Sequence, residues 1–151
     1  MGGPALIQNI IYEEFDNFYI CEMIENNVSF PTTEHYFQSK KDNGEEYQMR
    51  LSDASSGMDA WRVGQSCNLR PDWDVVKKKI MFDANLIKFS QHPELAEKLI
   101  KTKGTIKFPQ SDHYWGSDGY NWLGIIIEAI RAKLSGNTKR YDDLYRYIES
   151  A

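Results

Sequence analysis

The sequence predicts a single domain that combines short β-strands with amphipathic α-helices. Its 151 residues match the size of one compact domain, and a composition of 41% hydrophobic and 13% aromatic residues can build a core. Short segments rich in β-branched residues lie near the N-terminus, and apolar residues recur at helical spacing through the second half of the chain. Together these three observations favour a mixed fold with one core.

The strands are predicted from short apolar segments that turn residues interrupt. Residues 5–12 are β-branched and predict a first strand, with residues 27–30 as its partner. Between them, residues 15–19 are aromatic but contain Asp and Asn, so two interpretations are open. The segment either lines a pocket or anchors a loop in the core. Residues 105–109 predict a short edge strand.

A helix that starts within residues 30–41 carries the first candidate site. Thr32 can act as its N-cap, which places Glu34 in the first turn at the positive end of the helix dipole. Helical spacing then puts Glu34, Gln38 and Lys41 on one side. Two interpretations are open: a site for a ligand with ring edges and negative charge, or an ordinary capped helix with an exposed Glu/Lys pair.

Capping and breaking residues predict the remaining helices. After a turn at residues 42–46, the S-x-x-D pattern from Ser56 predicts a short helix that ends at Gly64. Longer helices are predicted from Pro71 to about Phe89, from Pro93 onward, from Leu123 to Gly136, and over residues 138–150. The apolar stripe of the first of these contains Val75, Val76, Ile80, Leu86, Ile87 and Phe89. His92 is predicted as a cap or loop contact rather than a catalytic base.

The loop at residues 111–122 is the second candidate site. It contains two tryptophans, two aspartates and an asparagine, which a simple connection does not require, and loops often carry sites. A carboxylate beside flat aromatic faces can hold a base or sugar and stabilise positive charge at an anomeric carbon. The alternative is aromatic packing in the core.

Charge and motif content exclude several functional classes. A net charge of −4 and a pI near 5.4 argue against a broad basic surface for non-specific nucleic-acid binding. The distant cysteines Cys21 and Cys67, with no histidine pattern nearby, predict neither a zinc site nor a disulfide framework. Phosphate-loop, dinucleotide, metalloprotease and esterase motifs are not found. No signal peptide or membrane span is recognised, which predicts a cytoplasmic protein.

Short motifs distributed along the chain carry a resemblance to a known family. In chain order, their residues are Phe15, Asn17, Phe18, Pro31 to Gln38, Lys41, Gly64, Arg70, Trp73, Met81, Lys88, Phe89, Gln91, His92, Asp112, Trp115, Gly116, Asn121, Leu123 and Gly124. This order resembles the NADAR family, also called YbiA-like, over about residues 10–134. The resemblance implies a compact, helix-rich α+β fold with a small β-sheet. It also implies cleavage of N-glycosidic bonds without a metal or cofactor.

The resemblance further implies a substrate class and a set of site residues. Expected substrates are ribosylamino-pyrimidine phosphates of riboflavin synthesis, or ADP-ribosylated guanine and related ADP-ribose compounds. The expected partner is thus a phosphorylated nucleoside or ADP-ribose derivative, including an ADP-ribosylated nucleic-acid base, and not a membrane. Glu34 would be the catalytic carboxylate and Asp112 would orient water or sugar. Substrate binding would involve Asn17, Phe18, Gln38, Lys41, Arg70, Trp115, Gly116 and Asn121, with Trp115 stacking on the ligand and Lys41 and Arg70 holding phosphate.

Two departures from the family keep other functions open. Many members carry a Glu where this chain has Lys107, and the loop at residues 116–121 is shorter than in bacterial members. A lysine cannot replace a carboxylate in proton transfer at neutral pH unless its pKa falls strongly. The alternative is therefore an ADP-ribose or nucleotide-binding module that has lost hydrolysis. A third possibility is a purely structural interaction domain.

Overall fold

A computed structural model of the chain describes residues 2–110 and 112–151. The strands within these residues are β1 (Ala5–Ile7), β2 (Ile10–Tyr12), β3 (Ile20–Glu25) and β4 (Val28–Thr32), with a 3-10 helix at Glu13–Phe15. The α-helices are α1 (Thr33–Ser39), α2 (Glu45–Ser52), α3 (Gly57–Gly64), α4 (Trp73–Gln91), α5 (Pro93–Lys101), α6 (Trp122–Leu134) and α7 (Thr138–Ser150). The helix-rich α+β class is confirmed.

The predicted pairing of residues 5–12 with residues 27–30 is wrong, because each segment belongs to a separate hairpin. Residues 5–12 are not one strand, because Gln8 and Asn9 adopt φ values of 49° and 65° and β1 pairs antiparallel with β2. Two successive left-handed residues form the turn that suits a two-residue hairpin. Residues 28–30 pair with β3 instead, and Asn27 lies with Asn26 in a second left-handed turn between these strands.

The predicted edge strand at residues 105–109 is a single β-bridge to the first hairpin. Leu6 donates its backbone N–H to the Lys107 carbonyl oxygen at 2.8 Å, and Lys107 donates back to Leu6 at 3.0 Å. Ile106 and Phe108 are fully buried on either side, whereas Lys107 is exposed. The bridge therefore delivers two apolar side chains to the core and leaves the lysine side chain outside.

Two helices begin at the side-chain caps that the sequence predicts. Thr32 Oγ1 accepts a hydrogen bond from the backbone N–H of His35 at 3.1 Å at the start of α1. Ser56 Oγ accepts one from the N–H of Asp59 at 3.1 Å at the start of α3, and α3 ends at Gly64 as predicted. All 7 residues of α1 are buried. Polar side chains on α1 therefore need partners inside the fold.

The helix α2 lies where the sequence indicates only a turn. Its N-cap is Gly44, which has no side chain to bond to the helix, and its inward residues are Tyr47 and Leu51. Asp42 Oδ1 accepts the N–H of Gly44 at 2.7 Å, so the predicted turn exists just before the helix. With no side-chain cap and only two inward residues, α2 leaves little helical pattern in the sequence.

The helices α4 and α5 begin close to the predicted positions, but the buried face of α4 differs. Val75, predicted in the apolar stripe, is 82% exposed, whereas the polar residues Asn85 and Lys88 are fully buried. Tertiary hydrogen bonds permit those inward polar positions, and an apolar pattern cannot reveal them. The Nε2 atom of His92 lies 2.6 Å from the Glu22 carbonyl oxygen, which is the predicted kind of loop contact.

The centre of the core is α6, whose predicted apolar stripe is confirmed. Its fully buried residues include Leu123, Ile126, Ile127 and Ile130. They pack in one cluster with side chains from α1, α4, α5, α7 and β1. In the part of the chain that is described, none of the helices has both the length and the apolar character needed to cross a membrane.

Candidate active site

Glu34 lies at the start of α1 and is completely enclosed by the protein. Its exposed fraction is 0%, and its carboxylate Oε2 accepts a hydrogen bond from Gln38 Nε2 at 2.6 Å. Its backbone N–H donates to the carbonyl oxygen of Asn17 at 3.0 Å. A buried carboxylate requires such partners. The interpretation of this stretch as a capped helix with an exposed Glu/Lys pair is therefore wrong.

Lys41 follows α1 and lies close enough to Glu34 for their charges to interact. Burial lowers the pKa of Lys41, while the negative charge of Glu34 opposes that shift. Its Nζ donates to the Gly64 carbonyl oxygen at 3.3 Å and lies 5.7 Å from the centre of the Trp73 ring. The structure thus brings Glu34, Gln38 and Lys41 together, as their helical spacing predicts.

The segment after the 3-10 helix contributes the predicted site residues Asn17 and Phe18. Asn17 is fully buried, and its Nδ2 donates to Met81 Sδ at 3.4 Å, whereas its Oδ1 has no hydrogen-bond partner among the described residues. Phe18 is half-buried against Gly57, the first residue of α3. Phe15 is fully buried in the core. Phe15 anchors the segment in the core, as one of the two interpretations predicts, and the lining of a pocket by this segment remains a prediction.

Arg70 joins this group through the backbone but directs its side chain elsewhere. Its N–H donates to the Lys41 carbonyl oxygen at 2.9 Å, while its guanidinium pairs with both Asp72 carboxylate oxygens at 2.6 and 3.0 Å. A cleft of about 570 Å³ is lined by Lys40, Lys41, Asp42, Asn43, Asn68, Leu69, Arg70, Pro71 and Asp72. Lys41 and Arg70 thus share one cleft, and a phosphate there would compete with Asp72 for Arg70.

In the second candidate segment, Asp112 holds the loop together. Its Oδ1 accepts backbone N–H groups from Tyr114 at 2.8 Å and Trp115 at 2.9 Å. Ser111, where the predicted loop begins, lies outside the described residues. Because one carboxylate oxygen of Asp112 already organises the loop, its predicted role in orienting water or sugar would use the other oxygen.

Trp115 packs behind α1 as part of the main core. It is 6% exposed, and its ring meets the Phe37 ring edge to face, with centres 5.7 Å apart at 88°. Phe37 precedes Gln38 on α1, so the loop supports the helix that carries Glu34. The predicted stacking of a ligand on Trp115 remains a prediction.

Gly116 and Asn121 complete the same loop through backbone geometry. A Cβ atom on Gly116 would lie 2.7 Å from two backbone oxygens, those of Gln110 and Asp112. Asn121 adopts a φ of 55°, and its Nδ2 donates to the Ile106 carbonyl oxygen at 2.9 Å. Both residues therefore shape the loop, and their predicted substrate contacts remain predictions.

Lys88, which the sequence motifs contain without indicating a role, supports the segment that includes Asn17. It is fully buried on α4, and its Nζ donates to the Asp16 carbonyl oxygen at 3.0 Å, next to Asn17. Burial lowers the pKa of Lys88 to about 8. The signal in the sequence is its position two turns after Met81, on the same inward face of α4.

No group of three or more His, Cys, Asp or Glu side chains that could hold a metal ion occurs among the residues described. The candidate site is built instead from a carboxylate, amides and a lysine.

Comparisons with known proteins identify the family of the chain. The sequence profile of the NADAR domain matches residues 7–135. The chain is 35% identical to N-glycosidase YbiA of Escherichia coli strain K12 over 132 residues, which is 82% of each chain. It is 31% identical to an N-glycosidase of Nostoc punctiforme over 134 residues, covering 82% of this chain and 86% of that protein.

A more distant relative and a solved structure extend the comparison. A chloroplastic riboflavin biosynthesis protein of Zea mays is 30% identical over 149 residues, covering 83% of this chain and 24% of that protein. The NMR structure of Escherichia coli YbiA matches with a TM-score of 0.71 at 34% identity, covering 84% of this chain and 80% of that chain. From the profile match and these identities we conclude that the chain belongs to the NADAR domain family.

Proposed function

We propose that this protein is a hydrolase that cleaves the N-glycosidic bond of a ribosylated or ADP-ribosylated base. The observation that carries the proposal is the enclosed Glu34 carboxylate, held by Gln38 and close to Lys41. The names of the relatives from Escherichia coli and Nostoc punctiforme support it, because both are called N-glycosidases.

Glu34 would act where positive charge develops. As the bond between the anomeric carbon and the base nitrogen breaks, the bond electrons leave with the base and the sugar acquires oxocarbenium character. A fixed carboxylate stabilises this charge more effectively inside the protein than in water. Water then adds to the anomeric carbon, and its proton passes to the nitrogen of the departing base, directly or by way of Glu34, so that the carboxylate is regenerated. The products are the free base and the sugar.

A phosphorylated sugar is the substrate class that the surroundings favour. Lys41 lines the cleft that it shares with Arg70, and its charge also interacts with that of Glu34, so one cation would serve both an anionic group in the cleft and the reacting centre. The riboflavin biosynthesis protein of Zea mays adds support for ribosylamino-pyrimidine phosphates. ADP-ribosylated guanine offers the same combination of base, ribose and phosphate.

The direct test is a panel of N-ribosides and ADP-ribosyl conjugates incubated with the protein, with free base read by mass spectrometry. We expect release of the free base from at least one phosphorylated member. If every member stayed intact but one bound saturably, the protein would be a nucleotide-binding module without hydrolysis. If none bound, a purely structural domain would be the remaining function.

A further inference from the structure

We propose that Gly64, the last residue of α3, positions the Gln38 amide against Glu34, at the point where its carbonyl oxygen also holds the Lys41 ammonium. Gly64 meets both side chains. A Cβ atom at this position would overlap Gln38 Oε1, and the Gly64 carbonyl oxygen accepts the hydrogen bond from Lys41 Nζ at 3.3 Å. The inference deepens the proposed function, and it rests on that function in treating Glu34 as the reacting carboxylate.

Space, not backbone conformation, is the reason for a glycine at position 64. Gly64 is helical and is not among the glycines with positive φ, so any L-residue could adopt its backbone. Alanine would form the helix better than glycine does. The side chain that glycine lacks would occupy the volume that the Gln38 amide fills.

The Gln38 amide can serve Glu34 in one orientation only. Its Nε2 is 2.6 Å from Glu34 Oε2, whereas its buried Oε1 has no hydrogen-bond partner among the described residues and lies against Gly64. Reversing the amide would place two acceptor oxygens at hydrogen-bond distance, one of them on a carboxylate. Gly64 therefore accommodates the oxygen end, and the donor end faces Glu34.

At the other end of α3, Gly57 leaves space for another predicted site residue, Phe18. A Cβ atom on Gly57 would lie 2.6 Å from the Phe18 ring. Gly57 and Gly64 are separated by two helical turns and therefore lie on the same face of α3. This face supports Phe18 at one end and the group of Gln38 and Lys41 at the other.

The first experiment follows the Gln38 side chain directly by NMR. The side-chain NH2 signal of Gln38 is identified by its loss in Gln38→Ala, and then compared in the parent, Gly64→Ala and Ala60→Gly. Ala60 is a fully buried residue of the same helix, so Ala60→Gly disturbs α3 without adding a group at Gln38. We expect the signal to shift and its protection from exchange to fall in Gly64→Ala alone. An unchanged signal in Gly64→Ala would overturn the proposal.

The second experiment asks whether Gly64 acts through Gln38. With an N-riboside that the parent cleaves, Gly64→Ala should lower kcat at least about tenfold, whereas in the Gln38→Ala background it should lower kcat less than about twofold, because coupled residues are not additive. Equal losses in both backgrounds would show that Gly64 acts independently of Gln38 and would contradict the proposal. If the parent cleaves no substrate, the proposed function fails, while the NMR comparison still decides the role of Gly64.

Discussion

Glu34 occupies an environment where a carboxylate is stable only with polar partners. Gln38 supplies one at 2.6 Å, and the backbone of Asn17 holds the peptide N–H of the same residue. The position in the first turn of α1 adds the favourable end of the helix dipole. Local sequence and tertiary contacts thus act on the same group, which keeps the carboxylate in one place.

Replacing Trp115 should show how far this residue serves the core. Because its ring is 6% exposed and packs against Phe37, we expect Trp115→Ala to lower the free energy of unfolding by about 3–5 kcal/mol, the usual cost of removing a buried aromatic ring. Chemical denaturation measures this loss. Trp115→Phe is the matched control, since it keeps a ring. Unchanged stability in Trp115→Ala together with a ligand affinity weaker by about 1–3 kcal/mol would instead establish stacking on the ligand.

Charge reversal at Lys107 tests whether this chain departs from active relatives. Only the backbone of Lys107 takes part in the bridge to Leu6, and its side chain is exposed, so Lys107→Glu should fold normally. If the position adjoins bound substrate, the variant should gain turnover and lose affinity for a phosphorylated ligand, because a cation is replaced by a proton acceptor. Ligand affinity of the parent should fall with added salt.

The control for this experiment is Lys103→Glu, which makes the same charge change at an exposed lysine before the bridge. Turnover and affinity that respond equally to both substitutions would reveal a general charge effect. If Lys107→Glu changes neither quantity, the residue lies outside the site. The expectation of a carboxylate at this position would then not apply to this chain.

The helix α4 fixes the position of residues 16–18, which include the Asn17 carbonyl oxygen that contacts Glu34. Lys88 crosses from α4 to the Asp16 carbonyl oxygen at 3.0 Å, and Met81 receives the hydrogen bond from Asn17. Asp16 Oδ1 in turn accepts the N–H of Phe18 at 2.9 Å. Two residues of one helix therefore fix the position of a short segment that has little regular structure of its own.

The buried lysine predicts a distinctive dependence of stability on pH. Burial lowers the pKa of Lys88 to about 8, and the charges of the Asp16 and Glu14 carboxylates only partly oppose this shift. An unfolded lysine titrates at about 10.4. Between these values the unfolded chain binds more protons than the folded chain, so the free energy of unfolding rises with pH. Relative to Lys88→Met, the parent should gain about 1 kcal/mol per pH unit above about pH 8.

Denaturation curves of both proteins from about pH 7 to about pH 9.5 measure this difference. Lys103→Met, at an exposed lysine, is the matched control and should track the parent. A constant difference between parent and Lys88→Met over this range would mean that Lys88 is not the titrating group.

Elements with local chemical signals could be predicted from the sequence, and those without could not. The caps Thr32 and Ser56 hydrogen-bond within a few residues of themselves, so α1 and α3 begin where the sequence indicates. The turn at Gln8 and Asn9 contains no glycine, so the sequence pattern does not reveal it, although asparagine tolerates left-handed backbone. The inward face of α4 includes Lys88 because of a bond to a distant carbonyl, which no local pattern encodes.

The same distinction applies to the candidate site. Glu34 and Gln38 are one helical turn apart, so their contact follows from spacing within α1. The contacts of Gln38 with Gly64 and of Lys88 with Asp16 join residues far apart in the chain. Those contacts form only when the helices pack together. The sequence motifs therefore identify the residues but do not indicate which residues they contact.

The helix α1 joins three parts of the fold: the helix α4, the helix α3 and the loop that contains Trp115. Its residue Phe37 packs against Trp73 of α4, with ring centres 5.1 Å apart, and against Trp115 of the second candidate site. The helix α1 also contacts α3, where the Gln38 side chain lies against Gly64. The core therefore encloses the helix that carries Glu34, and this packing limits movement of the Glu34 carboxylate.

Whether Glu34 is the catalytic carboxylate can be tested by measuring the release of free base by the parent and by Glu34→Gln on the same phosphorylated N-riboside. Glutamine keeps the shape and can still accept the Gln38 hydrogen bond, but it carries no charge. Glu45→Gln is the matched control, since Glu45 occupies the first turn of the exposed side of α2. We predict that Glu34→Gln loses turnover by at least about 100-fold with little change in thermal unfolding, while Glu45→Gln behaves as the parent. Turnover near the parent rate in a folded Glu34→Gln protein would contradict the assignment of Glu34 as the catalytic carboxylate.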